Sequence, residues 1–172
     1  MTKEQLSIIP GMIAAATLGA LFVWAGTRWY PFVLPPLETA GDRLAFTLST
    51  EIFAGLTLLL GIGTVARQRF FSPEAIGGEE SPRDHAIRIN LRYVQNTTEQ
   101  LLLAVVAHLA LAATLSPGAM AVIPVLVAYF VLARVAFWAG YHHSPTSRAF
   151  GFAATFYPTV AVYLYVIYRV LV

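Results

Sequence analysis

The chain has 172 residues, of which 58% are apolar and only 12% charged, with a net charge of +2 and a mean hydropathy of +0.67. Soluble domains carry about 45–50% apolar and about 25% charged residues, so this composition excludes an ordinary water-facing globule, and it excludes a disordered chain equally. The small net charge argues against nucleic acid as a partner, and the lack of cysteine removes disulfides and thiolate metal sites.

In chain order, the first apolar run is Leu6 to Trp24, which reads as broken at Pro10 and closed by Arg28-Trp29-Tyr30-Pro31. It exceeds the ~7–15 residue core of a cleaved signal peptide, which makes it a retained anchor helix. Pro31 to Gly41 holds three prolines and reads as a loop. A second run, Leu44 to Ala66, ends in Arg67-Gln68-Arg69. The long polar stretch Ser72 to Arg92 contains Ser81-Pro82-Arg83-Asp84, with Ser at the N-cap, Pro at the first position and an acid at the third. The third helix is therefore expected from near Pro82 to about Leu115.

Ser116-Pro117-Gly118 reads as a tight turn, and the fourth run, Ala119 to Tyr141, ends at His142-His143. Ser144-Pro145 caps a fifth helix that reaches the end of the chain, with a kink expected at Pro158. At roughly 20 residues per crossing, these runs make five transmembrane helices. Helices two and four lack the polar face that a soluble bundle would need.

Basic residues gather on the cytoplasmic side of a membrane. Lys3, Arg67, Arg69, Arg83, Arg88, Arg92 and Arg148 share one face, against Arg28, Arg43 and Arg169 on the other. The N-terminus is therefore expected in the cytoplasm. Arginine-heavy, lysine-poor usage suggests a bacterial inner membrane.

Ionisable residues inside the apolar runs cost several kcal/mol each by most estimates, so they carry the functional signal. Arg88, Arg92, Asn96 and Glu99 fall on one stripe of the third helix. Arg134 and Tyr141 form a stripe on the fourth, with Phe137 between them. Glu99 and Arg134 lie at one depth in antiparallel neighbours, which predicts that they pair. Glu51, deep in the second helix, has Arg43 and Thr47 as nearby candidates. His142-His143 lack the i, i+4 spacing of a helical metal pair, so no metal site is expected. Tyr163, Tyr165 and Tyr168 with Arg169 read as an interfacial belt.

Three segments together resemble a known family, the membrane-associated proteins in eicosanoid and glutathione metabolism, as a bacterial-type member. Arg92-Tyr-Val-Gln-Asn96-Thr-Thr-Glu99 is similar to that family's Arg, Asn, Glu element. Tyr141 and Arg148, seven apart, resemble its tyrosine and catalytic arginine. Ala66-Arg67-Gln68-Arg69 with Pro73-Glu74 resembles the end of its first helix.

The resemblance implies an all-α integral membrane protein with a four-helix domain over residues 44–172. Residues 1–43 would then be an additional N-terminal transmembrane helix with its proline-rich loop. It implies a homotrimer with glutathione as cofactor, held by Arg67, Arg92, Asn96, Glu99 and Tyr141, with Arg148 as the catalytic residue stabilising a thiolate. The implied activity is that of a transferase or peroxidase acting on lipophilic electrophiles or lipid hydroperoxides. Gln95, Ala149, Phe152 and Phe137 depart from the pattern, Phe137 standing where the prostaglandin synthase branch has a histidine, and these departures argue against that branch's isomerase activity. The alternative is a non-catalytic membrane scaffold that keeps the polar cluster for packing.

Overall fold

The computed structural model describes residues 3–29, 33–72, 76–77, 85–143 and 147–172. Five long helices fill it: α1 (Lys3–Trp29), α2 (Ala40–Phe70), α3 (His85–Thr114), α4 (Val122–His143) and α5 (Arg148–Leu171). All five are long and apolar enough to cross a membrane, and no strand is found among the described residues. The motifs Tyr30-Pro31, Pro73-Glu74, Ser81-Pro82-Arg83-Asp84 and Ser144-Pro145 lie outside the described residues.

The helix ends follow local chemistry. Thr39 and Asp42 form a reciprocal cap at the start of α2: Asp42 N–H donates to Thr39 Oγ1 at 3.1 Å, and Thr39 N–H donates to Asp42 Oδ2 at 2.9 Å. Arg43 donates from Nε to the Ala112 carbonyl at 3.2 Å and from Nη1 to the carbonyls of Leu37 and Glu38. It thereby satisfies one of the carbonyls left open at the C-terminal end of α3. The Ser-Pro-Gly turn becomes a short 3₁₀ turn, Pro117–Ala119.

Pro10 does not break α1, which runs through it. A proline forfeits one helical bond, but leaving the helix inside a bilayer would expose several backbone groups to hydrocarbon. Pro158 is accommodated within α5 in the same way.

Packing pairs α2 with α3 and α4 with α5, and α1 lies outside on α4 and α5. Small residues let the helices approach closely. Ala54 and Ala104 pack with Val127 and Phe130 between α2, α3 and α4. Ala15, Ala133, Ala153 and Ala154 surround Tyr129 between α1, α4 and α5. The Tyr129 hydroxyl donates to the Ala15 carbonyl at 3.2 Å and ties α1 to the bundle. Leu37, from the loop before α2, closes one end over Leu111, Met120 and Ile123. Large apolar side chains such as Ile52, Leu60, Leu102 and Val135 point outward, as a lipid-facing surface requires.

Candidate functional site

The polar interior is organised by Arg134, which is 0% exposed. Its Nη1 donates to Asn96 Oδ1 at 2.9 Å, and its Nη2 donates to the Gly151 carbonyl at 3.1 Å and to the Thr155 hydroxyl. The guanidinium also lies over the Phe137 ring, 4.5 Å from its centroid. One cation thus joins α3, α4 and α5 through neutral partners and an aromatic face.

The expected pairing of Glu99 with Arg134 is not formed. Glu99 is exposed on α3 and takes a hydrogen bond from Gln95 Nε2 at 3.4 Å. The cause is rotation: each residue turns a helix by about 100°, so equal depth does not imply a shared face. Asn96, three residues earlier, is the half-buried one that faces Arg134.

The buried polar stripe of α3 is Asn90, Tyr93, Thr97 and Gln100, beside the predicted stripe rather than on it. Tyr93 donates to the Thr57 carbonyl at 3.2 Å across the α2–α3 contact. Asn90 donates to Gln68 Oε1 at 3.0 Å and accepts from Trp138 Nε1 at 2.9 Å, linking α2, α3 and α4.

The predicted site residues divide into three groups. Arg148 and Tyr141 are brought together where α5 begins beside α4, with the guanidinium 4.7 Å from the ring centroid. Both are half-buried. Asn96 sits inside, held by Arg134. Arg67, Arg92 and Glu99 are exposed on α2 and α3. The contact of Asn90 with Gln68 fixes the register of these antiparallel helices and puts Arg67 and Arg92 at nearly one level.

Sequence reasoning missed a further buried pair. Glu51 Oε1 lies 2.5 Å from His108 Nδ1, and the two side chains are 6% and 4% exposed. Glu51 therefore finds its partner on α3, neither of the residues on its own helix that the sequence suggested. A histidine in the apolar half of α3 was the available signal. Among the described residues no cluster of three or more His, Asp or Glu could hold a metal ion.

A family profile described as "MAPEG family" matches residues 46–168, which takes in most of α2 to α5 and leaves α1 outside. Transmembrane protein 79 of Mus musculus is 27% identical over 172 residues, covering 99% of this chain and 43% of that protein. Transmembrane protein 79 of Bos taurus is 28% identical over 171 residues, covering 99% of this chain and 42% of that protein. The chain thus spans less than half the length of these relatives. No solved structure matches it.

Proposed function

The chain belongs to the MAPEG family, and on that premise we propose that it is a membrane-embedded glutathione-dependent transferase or peroxidase. Its substrates would be lipophilic electrophiles or lipid hydroperoxides that arrive from the bilayer. The observation that carries this reading is the stacking of Arg148 on Tyr141 at the α4–α5 junction. It leaves a half-buried cation at a helix start, where the helix dipole adds positive potential.

The donor set suits the tripeptide. Glutathione has two carboxylates and one ammonium, and Arg67, Arg92 and Glu99 supply complementary charges that no ion pair among the described residues consumes. Arg67 and Arg92 would bind carboxylates, and Glu99 the ammonium. Asn96 has its oxygen committed to Arg134, so only its amide N–H groups remain for a ligand. The face of the Tyr141 ring is covered by Arg148, so its hydroxyl would be the group that hydrogen-bonds the tripeptide.

Bound glutathione supplies a thiol sulfur as nucleophile. Arg148 would hold negative charge at that sulfur, because a nearby cation lowers a thiol pKa from about 8.5. Since Arg67, Arg92 and Glu99 lie on the outer face of α2 and α3, the site would be completed by a neighbouring copy in a homotrimer. The cytoplasmic end would be the one that carries Arg67, Arg92 and Arg148.

A second reading is a scaffold without turnover. The observation favouring it is that Asn96, half-buried on α3, already gives its side-chain oxygen to Arg134, the cation that joins α3, α4 and α5. Both relatives are named for a membrane location. Glutathione separates the two readings. For the enzyme, millimolar glutathione raises the melting temperature of the detergent-purified protein, as any ligand of the folded state does. Arg148→Ala then lowers turnover of a model lipophilic electrophile at least tenfold with little change in melting temperature. Wild-type protein with neither a thermal shift nor turnover supports the scaffold.

A further inference from the structure

α1 and α5 run parallel and touch near Gly11 and Phe150, where a Cβ on the glycine would lie 3.8 Å from the phenylalanine. Further along, toward their C-terminal ends, they enclose an apolar recess of about 660 Å³, backed by α3 and α4. Ala16, Ala20, Leu111, Leu126, Ala161 and Val162 are among its walls, and the only polar side-chain atoms in the lining belong to Trp24, Tyr157 and Tyr165. Ala16, Ala20 and Ala161 are exposed, so the recess opens sideways between α1 and α5 into the surrounding bilayer.

Its volume falls within the ~300–1,000 Å³ of small-molecule sites. A lining of carbon admits only an apolar occupant, because a polar group placed there would lose its hydrogen bonds to water without replacement.

The mouth adds charge. Trp24 and Tyr165 are the lining residues nearest the C-terminal ends of α1 and α5, and Arg28 and Arg169 stand one turn beyond them on the same helices. One turn is about 5.4 Å, so both guanidinium groups rise at the level where helix ends meet lipid headgroups. Arg169 Nη1 donates to the Tyr165 hydroxyl at 3.2 Å, which poises that arginine beside the opening. Arg43, the third arginine at this end, is already engaged by three backbone carbonyls. Of the two acids near this end, Asp42 is bound in the Thr39 cap, and Glu38 sits in the loop before α2.

We propose that the recess between α1 and α5 holds an acyl chain of an anionic phospholipid, whose phosphate lies between Arg28 and Arg169. The chain meets the demand of the walls, and the phosphate meets the two guanidinium groups, which favour bidentate contact with phosphate oxygens. The site is at the opposite end of the bundle from Arg67, Arg92 and Arg148, so it does not depend on the glutathione reading. It also gives the additional helix a role: without α1 the recess has no second wall.

The test is native mass spectrometry of the full chain released from detergent after incubation with phosphatidylglycerol or phosphatidylcholine. The wild type is expected to retain one phosphatidylglycerol per chain, at least threefold more than phosphatidylcholine. Ala161→Phe and Ala20→Phe, on opposite walls, fill the recess and are expected to abolish retention while the melting temperature holds. Leu164→Phe, on the exposed face of α5, leaves retention unchanged. Arg28→Gln combined with Arg169→Gln removes the preference between the two lipids. The proposal fails if a folded filling variant retains phosphatidylglycerol as the wild type does. It fails equally if the wild type retains both lipids alike, or if palmitate is retained and phospholipid is not.

Discussion

At Arg134 a charged group that lipid would reject is held by an amide, a hydroxyl, a carbonyl and an aromatic ring. Truncation to Ala removes these bonds, takes the donor from Asn96 Oδ1, and leaves a cavity, while the Thr155 hydroxyl keeps its bond to the Phe152 carbonyl. Its expected cost is about 2–4 kcal/mol by chemical denaturation in detergent. Arg134→Met keeps most of the volume and should cost less. Coupling identifies the true partner. Asn96→Ala and Arg134→Met together should differ from the sum of their single effects by at least about 0.5 kcal/mol. Glu99→Gln and Arg134→Met should add to within about that amount, because Glu99 does not meet Arg134. Coupling of Glu99 and no coupling of Asn96 would contradict the geometry. The sequence made Arg134 visible as a cation in an apolar run, yet its partners on α5 were hidden: nothing in the spacing of Gly151 and Thr155 states which face of α5 turns inward.

Between elements, the closest approach is that of α5 to α4. A Cβ built on Gly151 would lie 2.4 Å from the backbone of Phe137, and one on Gly140 would lie 2.8 Å from the Ser147 carbonyl. Gly151→Ala must therefore push the helices apart and withdraw the carbonyl that Arg134 uses, with a melting-temperature loss of several degrees. Gly118→Ala, where a methyl group meets open space, should leave the melting temperature nearly unchanged. The helices themselves were legible because apolar runs, prolines and terminal arginines mark the ends of membrane spans. Their faces were less so. Asn90, Tyr93, Thr97 and Gln100 turn inward, while Arg92 and Glu99, equally polar, turn outward. Sequence alone gives the period of a helix and leaves its rotation about its own axis to be set by the neighbours. Glu51 and His108, 57 positions apart, meet for the same reason only after α2 and α3 have docked.

For the whole molecule, the distribution of charge makes a further statement. Arg67, Arg92 and Glu99 lie open on the α2–α3 side, and α1 covers the α4–α5 side. A face with two arginines and a glutamate is costly toward lipid, and in the proposed trimer it would be covered by other copies. Light scattering in detergent is expected to give a mass three times the 18.7 kDa of the chain. A single-chain mass would remove the shared ligand site and with it the enzymatic reading.

Pro158 adds a mechanical consequence. It borders the large recess beside α1 and also a void of about 10 Å³ next to His108, Thr155 and Thr159, which is near the size needed for one water molecule. Having no N–H, it cannot serve as donor to the Ala154 carbonyl one turn back, and α5 is locally easier to bend there than elsewhere. The same ring is thus a partition with hydrocarbon on one side and hydrogen-bonding groups on the other. A flexing of α5 at this point would shift the boundaries of both chambers together.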